Sequence, residues 1–191
     1  MTVFTCKKKF FVHEAVGATN LNEDYLVVDE AGAGIAAFEE VVTFNQKIAK
    51  AFVDKSFLPT TIIMKNDKDE KLLELHQPAS FFARSFVVRD AEGKILCKIC
   101  QNCSLVKPVI DVKDENGQPI GTILGDWKFR NFIFNDNRGE KVSTISHKIL
   151  GVTKHLFTTA DDYEIEMEKT DDTLALISVA ATICIDFFYH E

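Results

Sequence analysis

Three stretches in the middle of the chain repeat one pattern of apolar and polar positions. In each, an apolar residue is followed by a polar turn with an aspartate and, three residues later, a glycine, and then by an apolar strand. Aspartate turns the chain by hydrogen bonding to nearby backbone, and glycine adopts the positive φ that closes a short hairpin loop. The pattern predicts three β-hairpins, whose turns contain Asp90 and Gly93, Asp114 and Gly117, and Asp136 and Gly139.

The spacing of these hairpins predicts a meander of antiparallel strands. Their glycines lie 24 and then 22 residues apart, which leaves room for two strands of ordinary length and a turn on each side. Looser copies of the pattern begin at Met64 and Val28, so the series covers much of the chain. Solenoid repeats of similar period share more of their sequence than these units do. We therefore predict a mainly β fold in which the meander curls into a barrel.

Helical patterns are scarce. The segment FNQKIAKAFVDK places Phe44, Ile48 and Phe52 four residues apart, which is typical of a short surface helix. The other candidate is the C-terminal run LALISVAATICIDFFYHE, residues 174–191, which is almost free of charge. This run decides the architecture, because a helix of that composition either spans a membrane or is buried on all sides.

The C-terminal run is interpreted here as a core helix, with a membrane span as the alternative. A helix over residues 173–189 would be about 25 Å long, shorter than the hydrocarbon core of a bilayer, which is about 30 Å thick. Asp186 interrupts the run, and no lysine or arginine follows it to fix an orientation. Asp171 and Asp172 precede it and suit a helix N-terminus. A barrel also needs an apolar filling, which this helix would supply.

Composition and charge narrow the class of protein. Of the 191 residues, 46% are hydrophobic and 27% are charged, as in an ordinary soluble protein, and we expect a single domain over residues 1–191. Acidic residues outnumber basic ones 29 to 22, and the basic residues are scattered, so no nucleic-acid partner is expected. The N-terminal stretch lacks the apolar core of a signal peptide. We therefore expect a cytoplasmic location.

Three of the five cysteines, Cys97, Cys100 and Cys103, form a C-x-x-C-x-x-C motif. A structural zinc site would need a fourth, distant ligand such as His76, and a redox site is the other chemical interpretation. The segment KILCKICQN also has the pattern of a strand, in which Cys97 and Cys100 point to opposite faces. Ordinary buried or half-buried thiols are therefore the prediction, with a metal or redox site as the alternative.

Several segments together resemble one known family. The segment TADDYEIEME, followed by the apolar helix and the ending ICIDFFYHE, resembles the closing part of the phospholipid scramblases and of the related LURP-one-like proteins. Upstream, KLLELHQP, KILCKICQN, PIGTILGDW and ISHKILGVTKHLFTTAD follow in the corresponding order. The resemblance implies a tubby-like fold, a closed antiparallel β-barrel of about twelve strands around a buried C-terminal hydrophobic α-helix. This expectation agrees with the hairpin series.

The resemblance also implies a calcium site. Scramblases are described as calcium-activated proteins that move phospholipids between bilayer leaflets, with an acidic loop before the helix as the calcium site. In this chain the loop is residues 159–170, and the candidate ligands are Asp161, Asp162 and Glu164. Such a loop needs oxygen ligands at its first, third, fifth and twelfth positions, and Asp161, the third, is the residue that fits. The alternative is a strand with Tyr163 inward. No cofactor is predicted beyond this candidate calcium ion.

Tubby-like relatives bind phosphoinositides through clustered lysines and arginines. The candidate lipid-headgroup residues here are Lys128 with Arg130, which share a face if WKFRNFIF is a strand, and Lys148 with Lys154. The alternative is that these pairs only add solubilising charge. The neighbouring Trp127 is expected to pack at the barrel rim. Without lipid chains or a broad basic cluster, contact with the inner face of the membrane would be peripheral.

The chain shows no catalytic signature, since G-x-S-x-G, P-loop, dinucleotide-binding and H-E-x-x-H motifs are all missing. The leading hypothesis is a non-enzymatic scramblase-related or LURP-one-related protein that acts as a lipid- or partner-binding regulatory module. Its partners would be an anionic phospholipid or membrane surface, or another protein. The first alternative is a phospholipid scramblase with its terminal helix in the bilayer. The second is a structural or scaffold protein without lipid binding.

Overall fold

Side chains alternate between buried and more exposed positions along most strands, as a sheet with one buried face requires. In the segment Val109–Lys113, for example, Ile110 and Val112 are fully buried and their neighbours are partly exposed. The segment FNQKIAKAFVDK, where a short helix was predicted, lies outside the described part of the chain. The structure, a computed structural model, describes residues 4, 7–15, 24–42, 58–80, 84–102, 104, 106–148 and 162–189.

Twelve strands and one helix make up the regular structure of these described residues. The helix, α1, is Asp172–Tyr189. The strands are β1 (Lys9–Ala15), β2 (Asp24–Asp29), β3 (Gly34–Glu40), β4 (Thr60–Asn66), β5 (Lys71–Gln77), β6 (Ser85–Asp90), β7 (Ile95–Asn102), β8 (Val109–Lys113), β9 (Pro119–Gly125), β10 (Asn131–Asp136), β11 (Lys141–Lys148) and β12 (Asp162–Met167).

The twelve strands form a closed antiparallel barrel in which each strand pairs with its neighbours in sequence. The first and last strands, β1 and β12, pair with Val12 opposite Tyr163, and this pairing closes the barrel. Closure leaves no unpaired edge among the described strands. The predicted fold, a closed barrel of antiparallel strands with a C-terminal apolar helix packed against it, is confirmed.

Five turns of one kind join the strands at one end of the barrel, which is called the turn end below. In the turn that follows β8, Oδ1 of Asp114 accepts hydrogen bonds from the backbone N–H groups of Asn116 and Gln118 at 2.9 and 2.7 Å. Gly117 then adopts a φ of 82°. The three predicted Asp–Gly hairpins and both looser copies follow this scheme. The five turns are residues 29–33, 66–70, 90–94, 114–118 and 136–140.

Helix α1 fills the barrel. It begins at the turn end, where Oδ1 of Asp171 accepts a hydrogen bond from the N–H of Leu174 at 2.8 Å, as expected for an N-cap. Among the described residues, α1 is the one helix long and apolar enough to cross a membrane, but 72% of it is buried inside the barrel. The small side chain of Ser178 lets it approach β11, where its Oγ lies 2.9 Å from that of Ser143.

Asp186, the charged residue inside the apolar run, is also buried. Its two carboxylate oxygens accept hydrogen bonds from the hydroxyl groups of Tyr25 at 2.6 Å and of Tyr163 at 2.5 Å. Those tyrosines belong to β2 and β12 and lie in the core. A buried carboxylate is stable only with such partners. Asp186 therefore fixes the C-terminal part of the helix to two strands of the barrel.

Candidate functional site

The barrel end opposite the turn end is called the loop end. At this end residues 126–130 join β9 to β10, residues 103–108 join β7 to β8, and α1 ends at Tyr189. The hairpin turn 126–130 is called the tip. Like the five turns of the turn end, it has an aspartate that accepts backbone hydrogen bonds and a positive φ three residues later, but the N–H of Asp126 bonds to the carbonyl of Asn131, one position farther along. Its middle residues are Trp127, Lys128 and Phe129.

The tip is held in place by Asp126. Oδ1 of Asp126 accepts hydrogen bonds from the backbone N–H groups of Lys128 at 3.1 Å and Arg130 at 2.9 Å, while Oδ2 accepts one from the Asn131 side chain at 2.8 Å. Partial burial raises the pKa of Asp126, but these hydrogen bonds outweigh that effect, so its pKa lies below the usual value. Asp126 is therefore a stable acceptor that organises the whole turn.

Phe129 gives the tip its unusual conformation. Its φ is 58°, in the left-handed region that favours glycine and costs about 1–2 kcal/mol for other residues. Its ring lies 5.3 Å from the ring of Tyr189, the last residue of α1, and Tyr189 also stacks on Phe132 at 5.9 Å. These aromatic contacts offset the backbone strain and connect the tip to the end of the buried helix.

Trp127 and the cations beside it face solvent. The Trp127 side chain is 73% exposed, and the ammonium of Lys128 lies 5.0 Å from the centre of its ring. Arg130 follows on the same turn. Lys107 lies close to the tip, as shown by the cleft that Lys107 and Phe129 both line. Within the described part of the chain, none of the three cations forms an ion pair. The tip and its surroundings therefore present positive charge beside an exposed aromatic ring.

The cleft next to the tip has a volume of about 210 Å³. Its apolar floor is made of Pro108, Phe129 and Tyr189, and amide and hydroxyl groups line its rim. Burial raises the pKa of the Tyr189 hydroxyl, although a hydrogen bond with Gln101 opposes the shift. The tyrosine is therefore a neutral wall of the cleft, and the positive charge there comes from Lys107.

The two barrel ends differ in charge. The five turns of the turn end contain eleven carboxylates and three cations, whereas the tip contains one carboxylate and two cations. The cations of the turn end are Lys68, Lys94 and Arg138. Its carboxylates are those of Asp29, Glu30, Asp67, Asp69, Glu70, Asp90, Glu92, Asp114, Glu115, Asp136 and Glu140.

Lys128 and Arg130, two of the predicted headgroup residues, do lie together, but for a different reason. The premise that WKFRNFIF is one strand is wrong, because residues 126–130 form the tip and β10 begins at Asn131. The expectation that Trp127 packs at the rim is wrong as well, since its ring is mostly exposed. A positive φ at Phe129 turns the chain where the sequence has no glycine.

Of the other predicted headgroup pair, Lys148 and Lys154, the structure describes only Lys148, and this residue forms an ion pair. Lys148 ends β11, and its ammonium lies 2.9 Å from Oε2 of Glu164 on β12. Lys154 lies outside the described residues. Lys148 therefore has an acidic partner, unlike Lys128 and Arg130.

Two of the three candidate calcium ligands already have side-chain partners on the outer face of β12. Asp162 lies 2.6 Å from His13, and Glu164 lies 2.6 Å from the ammonium of Lys9. Hydrogen bonds from Lys9 and then Lys148 lower the pKa of Glu164. The third candidate, Asp161, lies outside the described residues, among which no three histidine, cysteine, aspartate or glutamate side chains form a metal-binding group. The alternative strand is present, with alternate residues buried: Tyr163, Ile165 and Met167.

The cysteine motif lies partly in β7. Cys97 is fully buried and Cys100 is half-buried, so the predicted alternation across a strand is confirmed. Burial raises the pKa of the Cys97 thiol to about 12 and also raises that of Cys100, which keeps both thiols protonated near neutral pH. Cys103 lies outside the described residues.

Sequence reasoning missed Lys107 and its neighbour Val106, which is 83% exposed. They are separated from the tip by about twenty positions along the chain and come near it because β8, the strand that follows them, pairs with β9 in the barrel. The one usable signal was Pro108, which marks a break between two strands. Pro108 predicts a loop at this position, but it does not predict which other loop lies next to it.

Comparison with known proteins identifies the family. No individually curated protein matches the chain. The family model described as Scramblase matches residues 22–191, which include eleven complete strands and the helix. This is not a family of catalytic enzymes, and its name implies an association with lipids. The match covers most of the sequence, and the chain therefore belongs to the scramblase family.

Proposed function

We propose that this protein is a non-enzymatic lipid-binding module that docks peripherally, through the loop end of its barrel, on the surface of anionic phospholipid membranes. The observation that supports the proposal most directly is a set of three cations near the exposed Trp127, namely Lys107, Lys128 and Arg130, which form no ion pair with any residue that the structure describes. Membership of the scramblase family supports lipid as the partner.

The charge distribution favours one orientation. Each lysine or arginine near an anionic membrane surface contributes about 1 kcal/mol, so three contribute about 3 kcal/mol. The five turns of the turn end contain eleven carboxylates and three cations, and this excess of negative charge disfavours their contact with the same surface. The barrel would therefore approach the bilayer with its loop end first. Charge of this size alone gives only weak binding, and stable attachment needs a second contribution.

The buried helix supports peripheral docking over a transmembrane position. For α1 to span a bilayer, it would have to leave the barrel and break the hydrogen bonds of Asp186 with Tyr25 and Tyr163. The barrel would then lose its apolar filling, and Asp186 would enter a hydrocarbon core, where a charged residue costs about 2.5–3.5 kcal/mol or more. The alternative of a scramblase with its helix in the bilayer therefore has less support than docking of the closed barrel.

A co-sedimentation experiment with vesicles tests the proposal. Lys107, Lys128 and Arg130 are replaced by glutamine in one variant, and Lys68, Lys94 and Arg138 at the turn end are replaced by glutamine in a control. Both variants lose two lysines and one arginine, so their net charges are equal. With phosphatidylserine-containing vesicles at low salt, we expect the loop-end variant to lose about a hundredfold in affinity and the control to bind at least as well as the wild type.

Two results would contradict the proposal. Equal losses in both variants would mean that overall charge, and not the loop end, governs binding. No binding of the wild type to any vesicle would favour the structural or scaffold alternative. Neutral phosphatidylcholine vesicles are the matching lipid control, and binding to them should be at least tenfold weaker.

A further inference from the structure

Exposed apolar side chains are concentrated at the loop end. Seven large hydrophobic residues are exposed among the residues that the structure describes. Each lies either in a connection at the loop end or in the half of its strand nearest to that end. They are Leu26, Val41, Val106, Leu124, Trp127, Phe129 and Ile133. Scattered single residues of this kind are ordinary on a protein surface, but their restriction to one end is not.

The tip carries the most prominent of these side chains and is rigid. Oδ1 of Asp126 accepts hydrogen bonds from two backbone N–H groups of the tip, Oδ2 accepts one from the Asn131 side chain, and Phe129 is packed on Tyr189 at the end of α1. Behind Trp127, Leu124 and Ile133 form a cross-strand pair on the outer face of β9 and β10. The hairpin therefore presents an exposed tryptophan at its tip, with an apolar cross-strand pair behind the tryptophan and cations beside it.

We infer that the tip inserts Trp127 into the interfacial region of the bilayer, with Lys128 and Arg130 at the level of the lipid phosphates. This inference rests on the proposed function and supplies the second contribution that attachment by charge lacks. Tryptophan favours the membrane interface because its ring is apolar and its N–H group is polar. Lysine and arginine beside it extend their charged groups to the headgroups while their stems contact the apolar layer.

Insertion at this point orients the whole barrel. The tip connects directly to the end of α1 through Phe129 and Tyr189, so the loop end of the helix faces the bilayer and its start at Asp172 faces away. A rigid tip loses little conformational entropy on insertion, because its backbone is already fixed in the free protein. The acidic turns then remain at the greatest distance from the anionic surface.

The protein contains a single tryptophan, Trp127, which makes insertion directly measurable. With anionic vesicles, the emission of Trp127 should shift to shorter wavelength, and lipids brominated near the headgroup should quench it more than lipids brominated deep in the chains. A control moves the tryptophan to the turn end by combining Trp127→Phe with Ala91→Trp. Ala91 is exposed in the turn 90–94. The tryptophan emission of this control variant should neither shift nor be quenched.

Co-sedimentation gives a second readout. Trp127→Ala should bind anionic vesicles about tenfold more weakly than the wild type, with unchanged thermal unfolding because the side chain is exposed. If the wild type sediments with vesicles but Trp127 shows no shift and no quenching, the insertion is overturned and docking by charge stands. If the wild type does not sediment with vesicles at all, both fail.

Discussion

The two ends of the barrel use the same backbone turn with different side chains. Asp136 at the turn end and Asp126 at the loop end each accept hydrogen bonds from the N–H groups two and four residues later. The turn after Asp136 continues with polar residues and Gly139, whereas the tip continues with Trp127 and with Phe129 at positive φ. Phe129 stabilises the turn by packing on Tyr189, whereas Trp127 is exposed and not needed for folding, so Trp127 indicates a role other than stability.

The largest expected effect comes from comparing the aspartates at the two ends of α1. Asp186→Ala removes the acceptor of two buried tyrosine hydroxyls and should lower the free energy of unfolding by about 3 kcal/mol or more. Asp171→Ala removes an exposed N-cap and should cost about 1 kcal/mol. Chemical denaturation measures both. Similar losses in the two variants would show that Asp186 does not fix the helix, and Asp186→Asn is the matched control for size.

Among the residues that the structure describes, two have a positive φ without being glycine, and a smaller effect distinguishes them. Asp69→Gly at the turn end should raise the free energy of unfolding by a few tenths up to about 1 kcal/mol, because glycine removes the backbone strain. Phe129→Gly relieves the same strain but loses the packing on Tyr189, so it should be destabilising overall. Thermal unfolding of the two variants gives the comparison. Equal stabilisation by both would mean that the aromatic contact contributes nothing.

The smallest expected effect concerns pH. Both Asp136 and Asp126 have pKa values below the usual one, Asp136 mainly through the ammonium of Lys169 and Asp126 through neutral N–H donors that outweigh its burial. A carboxylate whose pKa is lower in the folded state stabilises the protein above its unfolded pKa of 3.8 and loses that effect as the pH falls through the folded value.

Salt should separate these two contributions. Replacing either aspartate by asparagine should flatten the loss of stability below about pH 4. In 1 M salt the contribution of Asp136 should shrink, because salt screens its pairing with the half-buried Lys169, while that of Asp126 should persist. Denaturation curves between pH 2 and 6 at both salt concentrations measure this. An equal response of the two variants to salt would contradict the assigned causes.

The fold was predictable because its turns are encoded locally. An aspartate with a glycine three residues later fixes a hairpin without reference to the rest of the chain, as the turns at Gly93, Gly117 and Gly139 show. The apolar run before Tyr189 was predictable as a core helix from its length and Asp186. The hairpin at Phe129 was missed because its positive φ depends on packing against the helix end, which no local pattern records.

The candidate site was predictable only in part, because it is assembled by long-range contacts. Lys128 and Arg130 were identified as neighbours in sequence, but Lys107 joins them through the barrel pairing. Likewise, Asp186 was read as an obstacle to membrane insertion, and its partners Tyr25 and Tyr163 lie 161 and 23 residues away. Contacts between residues so far apart in sequence depend on which strands are neighbours in the barrel. The local sequence pattern does not specify that order.

A disulfide lock tests whether the protein docks on membranes with its helix inside the closed barrel. Ser143 on β11 and Ser178 on α1 are buried with their hydroxyl oxygens 2.9 Å apart, so cysteines at the two positions would face each other across the strand and the helix. Oxidised Ser143→Cys/Ser178→Cys, with the bond verified by mass spectrometry, cannot release its helix. The locked protein should bind anionic vesicles as tightly as the wild type. Loss of binding on oxidation, with recovery on reduction, would contradict it.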